Sequence, residues 1–192
     1  MKKNILVIIG HPDKNSFCHS LANVYIESAR AHGADVREIQ LGELSFDPVL
    51  WHGYSQIQAL EPDLTKAQAL IEWSSHIVFV YPNWWGAMPA LMKGFFDRVF
   101  LPGFAFKYRK GSQFWDKLLS GRTAHLMVTM DTPPWYYRWI YHRHGHNQMK
   151  RTILGFCGIK VVKISEFAPV KGTSQQQRNK WIAKAKKLGA IQ

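Results

Sequence analysis

Apolar positions along the chain fall into five short runs separated by longer amphipathic stretches. Asn4 to Gly10 is a continuous apolar run of strand length, the pattern of a strand buried on both faces of a parallel sheet. A polar loop, His11-Pro12-Asp13-Lys14-Asn15-Ser16, leads into a helix from about Phe17 to His32, with Phe17, Leu21, Val24, Tyr25 and Ser28 on one face and Gly33 as its stop. Asp35 to Leu41 alternates and reads as a second strand, closing a βαβ unit. Gly42 to Pro62 has no period and reads as a long connection covering one edge of the sheet, of a length that functional loops reach. Asp63 caps a helix reaching Ser75, and His76 to Tyr81 is the third strand. Pro89 suits the first turn of a helix to about Leu101. Leu91, Met92, Phe95, Phe96, Val99 and Phe100 form its apolar face, with Lys93, Asp97 and Arg98 on the polar one. A short helix is expected near Ser112. Thr123 to Met130 is the fourth strand, broken by Asp131-Thr132-Pro133-Pro134. The aromatic and basic segment Trp135 to His146 follows, then a helix over Asn147 to Gly158, a fifth strand over Ile159 to Phe167, and a terminal helix opened by Ser174.

Strand and helix thus alternate five times, which predicts an α/β fold with a doubly wound parallel sheet between two helical layers. Five strands suit the order 2-1-3-4-5 of flavodoxin-like sheets, with a ligand at the switch point between strands one and three. No repeat or linker interrupts residues 1–192, so one domain is expected.

Composition narrows the class. The 192 residues are 46% hydrophobic, enough for a folded core. No apolar run approaches the roughly 18 residues of a membrane span. The N-terminal apolar run is shorter than the roughly 7–15 residues of a signal peptide's core, and a cytoplasmic protein is expected. Two cysteines, Cys18 and Cys157, make no disulfide framework. Both are expected to be buried as small apolar residues; a helix N-terminus near Cys18 would lower a thiol pKa, but no catalytic role is expected for it. The net charge of +12 raises nucleic acid as a partner. The basic residues are nevertheless spread along the chain. Their densest stretch, Lys180 to Lys187, is an amphipathic helix with Trp181, Ala185 and Leu188 on one face. No nucleic-acid partner is expected.

The candidate chemistry lies in the loops after strands one, three and four. The first, Gly10 to Phe17, lacks G-x-G-x-x-G and the Walker pattern. Helix-terminal N–H groups, Ser16, Asn15 and the His11 ring suit a phosphate there, although Ser16 as a plain cap explains the same residues. The second, Pro82-Asn83-Trp84-Trp85-Gly86, places two tryptophans where a ligand sits. A flavin ring needs such a surface on one face and backbone donors at its edge. The third, Thr129-Met130-Asp131-Thr132, faces the same crevice. His142, His144 and His146 have no Cys or carboxylate beside them, and no metal is expected.

GHPDKNSF after strand one, YPNWWGAMPALMKGFFDRVF after strand three and the GFAF that follows resemble the NAD(P)H:quinone oxidoreductase and modulator-of-drug-activity group of the flavodoxin-like superfamily. The likeness covers nearly the whole chain, including ILGFCGIKVV. It implies a homodimer with one FMN or FAD per site, and ping-pong hydride transfer from NAD(P)H through flavin N5 to a quinone. It implies that His11, Ser16, Phe17 and Cys18 hold the phosphate end and that Pro82, Asn83, Trp84, Trp85 and Gly86 hold the ring. Phe104 and Phe106 would line the substrate pocket, in their own subunit or the partner's. Asp131-Thr132-Pro133-Pro134 stands where the group carries a Gly-rich loop. Tyr141 and His144 are the local candidates for the group's catalytic Tyr and His. The loop Phe46 to Tyr54 and Arg178 are candidate contacts for an adenosine.

The expected function is therefore a flavin-dependent NAD(P)H oxidoreductase. The alternatives are an ancillary flavin-binding subunit of a membrane transporter of the potassium-efflux type, and a one-electron carrier.

Overall fold

The computed structural model describes residues 2–191. Strands β1 (Asn4–Ile9), β2 (Asp35–Gln40), β3 (His76–Pro82), β6 (Thr123–Thr129) and β7 (Lys160–Phe167) form one parallel sheet in the order β2-β1-β3-β6-β7. Counting only these five strands, the order is the expected 2-1-3-4-5. Alternation along β1 sorts its side chains between two cores. Leu6 and Ile8 face α2 (Pro62–Trp73) and α3 (Ala90–Val99), while Ile5, Val7 and Ile9 face α1 (Phe17–Ala31) and α7 (Gln175–Ala190). All five are fully buried. Each such burial stabilises the fold by about 1.5–3 kcal/mol.

Helix α1 begins where the sequence predicts. Ser16 is extended and its hydroxyl accepts from the His19 amide, the ordinary N-cap arrangement. Helix α7 starts in the same way from Ser174, and buries Trp181, Ala185 and Leu188 against the sheet as the pattern requires. For α2 the expectation needs correcting. Glu61 is the cap position and Pro62 opens the helix, while Asp63 sits in its first turn and accepts from the Ser45 amide instead.

Three further expectations are also revised. Residues near Ser112 form no helix; they are the turn of an antiparallel hairpin, β4 (Phe106–Tyr108) with β5 (Trp115–Lys117). Arg98 belongs to no polar surface, being only 1% exposed. Its guanidinium donates to the carbonyls of Asp47 and Ala59 and pairs with Glu61 at 2.8 Å, which pins the irregular segment 42–61 onto α3. The third concerns the region after β6. Pro133-Pro134 end the strand but start a helix, α4 (Pro134–Trp139), because Pro suits a first helical turn. The chain then reverses through His142 and Arg143, both left-handed, and continues as α5 (His144–Asn147). The expected helix from Asn147 is π-wound over Gln148–Leu154 and ends in α6 (Gly155–Cys157).

A candidate flavin site at the switch point

The carboxyl ends of β1, β3 and β6 open into two adjoining crevices that share Asn83. The smaller, about 320 Å³, is lined by His11, Asp13, Ser16, Phe17, Cys18, Pro82, Trp84, Thr129, Met130 and Asp131, with Val170 and Arg178 from the far side. Its position follows from topology. β2 and β3 flank β1 on opposite sides, so the loops after β1 and β3 diverge and leave a gap.

At this gap α1 presents its N-terminus. Among the described residues, the amides of Phe17 and Cys18 have no hydrogen-bond partner in the fold, as helix geometry dictates for a first turn. His11 Nδ1 accepts from the Asp13 amide at 3.0 Å, which leaves Nε2 as the donor of a neutral ring. Burial holds the His11 pKa below the usual imidazole range, partly offset by Asp13. The ring meets Trp84 edge-on at 5.3 Å. The Arg178 guanidinium lies over the Phe17 ring at 5.3 Å and donates to the Val170 carbonyl. Arg178 thus lines the same crevice as His11, Ser16 and Phe17, far along the chain from them.

Cys18 is buried, as expected of a small apolar residue. A helix N-terminus alone would lower its pKa, but burial pushes the thiol up to about 12. Its sulfur lies 3.2 Å from Thr129 Oγ1 and joins α1 to the end of β6. Cys18 is a packing residue with its side chain turned inward; only its amide is offered to a ligand.

The larger crevice, about 800 Å³, is lined by Asn83, Trp85, Gly86, Ala87 and Thr132 on one side. Tyr141, His144, Gly145, Asn147, Gln148, Arg151 and Thr152 form the other. Trp84 and Ala87 exchange backbone hydrogen bonds at 2.9 and 3.0 Å, closing a tight loop. Trp85 and Gly86 at its tip are both left-handed, with φ of 53° and 79°. A left-handed tryptophan is strained by about 1–2 kcal/mol. Its ring is fully exposed, and the amides of Trp85 and Gly86 have no partner among the described residues. The fold therefore holds an aromatic face and two free donors beside an opening with no carboxylate in its lining. A planar ring with carbonyl edges fits that set, and a phosphate fits the first-turn amides next door.

The structure brings Tyr141 and His144 into this crevice with Trp85 and Thr132. Phe104 and Phe106 are not in its lining. Phe106 is buried against Phe156 and borders a third cavity with Tyr54, Phe100 and Tyr108, while Phe104 is half-buried against the same core. The segment Phe46 to Tyr54 is likewise outside the lining of the small crevice; Phe46 packs on Phe95 and Tyr54 borders the third cavity. Among the described residues no His, Cys, Asp or Glu cluster could hold a metal.

A family model described as a flavodoxin-like fold matches residues 3–188. The chain belongs to the flavodoxin-like fold family. Its curated relatives include the ribosyldihydronicotinamide dehydrogenase [quinone] of Pongo abelii, 27% identical, with 98% of this chain and 92% of the relative aligned. An uncharacterized NAD(P)H oxidoreductase of Haemophilus influenzae is also 27% identical, over 93% of this chain and 90% of its own length. Among solved structures, the NAD(P)H:quinone oxidoreductase from Methanothermobacter marburgensis superposes with a TM-score of 0.84 over 100% of this chain and 99% of that one, at 20% identity. That likeness is one of fold.

Sequence reasoning missed Tyr137, Gly145 and the π-wound face bearing Gln148, Arg151 and Thr152. Their approach to the Trp85 loop is a tertiary event with no local period. A single signal was available: Gly145 stands between two histidines in a helix-forming stretch, where a glycine marks a close approach.

Proposed function

We propose that this protein is a flavin-dependent NAD(P)H oxidoreductase that reduces a quinone or a similar small acceptor, acting as one flavin-binding domain in a cytoplasmic homodimer. The observation that carries this reading is the pairing of free helix-terminal amides in one crevice with an exposed tryptophan and free loop amides in the next. A bound FMN or FAD would supply hydride transfer from NAD(P)H to the acceptor in alternating half-reactions.

The chain's own part is to bind, orient and handle protons. The Phe17 and Cys18 amides with Ser16 and the His11 Nε2–H would hold the phosphate. The Trp85 and Gly86 amides would hold the polar edge of the ring, with Trp84, Pro82, Asn83 and Thr129 to Thr132 around it. The space between Trp85 and Tyr141 stacks donor and acceptor in turn, which fixes distance and orientation. The Tyr141 Oη–H or the His144 imidazole would donate a proton to the acceptor oxygen. Phe104 and Phe106 would act from the partner subunit. Relatives that are oxidoreductases by name favour this reading over a transporter subunit.

The test is to release the cofactor from purified protein, identify it by mass, and follow NADH and NADPH oxidation across a quinone panel. Release of a flavin and turnover of about 1 per second or faster is the expected result. Protein that binds no flavin on reconstitution with FMN or FAD would remove the reading.

A further inference from the structure

Next to the mouth of the larger crevice lies a group of exposed apolar side chains. On α4, Trp135 and Trp139 are 63% and 65% exposed, and Ile140 beyond its end is 53% exposed. Their i,i+4 spacing sets the two tryptophans on one helical face. The opposite face is fixed inward by Tyr137, which is fully buried. Tyr141, also exposed, continues this apolar strip into the crevice lining. Large apolar side chains grouped in this way on a surface mark an interaction site, whereas scattered ones do not.

The charge around the strip is one-sided. No Asp or Glu occurs between Asp131 and Glu166. Arg138 lies over the Trp139 ring at 5.0 Å, and Lys150 and Arg151 stand exposed on the π-wound helix. None of these three makes an ion pair among the described residues. Exposed Trp and Ile flanked by unpaired Arg and Lys match the interface of an anionic bilayer. There indole rings settle at headgroup level and each cation adds roughly 1 kcal/mol. A nucleic acid would use the cations but leave Ile140 and the tryptophan strip in water.

We propose that this face docks on an anionic phospholipid surface and sets the crevice mouth against the bilayer, so that the acceptor is a lipid-soluble quinone. The docking stands on the surface itself, while the identity of the acceptor rests on the reductase reading above. No span is involved, because among the described residues no helix is long and apolar enough to cross a membrane. The attachment is peripheral and reversible, and it weakens as salt screens the cations.

The experiment sediments the purified protein with phosphatidylglycerol vesicles and with phosphatidylcholine vesicles, at low and raised salt. Binding to phosphatidylglycerol is expected, weakened by salt, and lowered at least about tenfold in Trp135→Ser/Trp139→Ser, the equivalent of about 1.4 kcal/mol or more. Gel filtration of the same variant should be unchanged. Should that variant fail to fold, Arg138→Gln/Lys150→Gln probes the electrostatic half at exposed positions and should also lose affinity. Equal binding to both lipids, no binding, or variants that bind like the parent would overturn the docking. So would a changed oligomeric state in the tryptophan variant, since a second copy of the chain would then cover the strip. Turnover with a vesicle-embedded and a water-soluble quinone separates the two readings. Activity with neither defeats the reductase and leaves docking to be judged by sedimentation, whereas no preference for the embedded quinone in the parent, despite binding, defeats the acceptor assignment.

Discussion

The hydroxyl of Tyr137 donates to the carbonyl of Gly86 at 3.1 Å and accepts the amide of Gly145 at 3.0 Å. One buried side chain thus clamps the loop carrying Trp85 to the segment carrying Tyr141 and His144, the two walls of the larger crevice. Gly145 is needed for that approach. A Cβ there would stand 2.5 Å from the Gly86 oxygen and 2.9 Å from the Tyr137 oxygen. Tyr137→Phe leaves one donor and one acceptor unpaired, at a cost of about 1–3 kcal/mol. Urea unfolding should show that loss, and the variant should release cofactor faster. A variant with parental stability and cofactor retention would show that the clamp is idle.

Trp85→Gly separates two roles of one residue. Glycine removes the strain of a left-handed tryptophan, about 1–2 kcal/mol, but adds freedom to the unfolded chain, about 0.5–1 kcal/mol. The melting temperature should therefore stay level or rise slightly. Cofactor content should fall, because the exposed ring proposed as the floor of the site is gone. Unchanged flavin content and absorbance would remove Trp85 from the site.

What the sequence revealed and concealed follows from the range of the interactions. β1, β3 and β6 are buried on both faces and read as apolar runs, so the sheet, its order and the crevice position were legible. So were both serine-capped helices, since a cap is a local device. Arg98 was not. In a helix pattern it looks solvent-facing, and its partners Asp47, Ala59 and Glu61 lie in an aperiodic segment far along the chain. The clamp of Tyr137 on Gly86 was hidden for the same reason. For Cys18, burial as a small apolar residue was legible, whereas its contact with Thr129 was not, because that contact depends on the α1–sheet packing.

That burial makes Cys18 inert. With its pKa pushed up to about 12, the thiolate population at neutral pH is negligible, and reaction proceeds through the thiolate. Cys157, also buried, is likewise pushed up to about 12. Native protein should therefore show almost no thiol reactive toward a disulfide reagent at neutral pH, and two after denaturation. Cys18→Ser should keep any reductase activity, because the hydroxyl can still meet Thr129. Rapid native labelling of Cys18 would contradict the burial described here.

Two buried imidazoles on strands β3 and β6 should govern acid stability. Burial lowers His76 to about 4 and His125 to about 3, with smaller contributions from neighbouring positive charges. His76 Nδ1 lies 2.7 Å from Thr123 Oγ1 and His125 Nε2 lies 3.0 Å from Ser165 Oγ, while burial holds both rings neutral. Both folded values lie below the unfolded value near 6.5. As pH falls, the unfolded chain therefore binds these protons first. The contribution of the neutral rings is complete above about pH 6.5 and is lost from there down toward the folded values. Each ring should remove about 1.4 kcal/mol per pH unit, so unfolding free energy should drop by about 4 kcal/mol in all between pH 7 and about pH 5. Glu166 is held below the usual carboxylate range by its hydrogen bond from His146, and it acts in the same direction only at lower pH. Urea titrations at the two pH values measure the drop. His76→Gln should flatten the slope by about half, since glutamine keeps a partner for Thr123 and takes up no proton. A parental slope in that variant would place the acid sensitivity elsewhere.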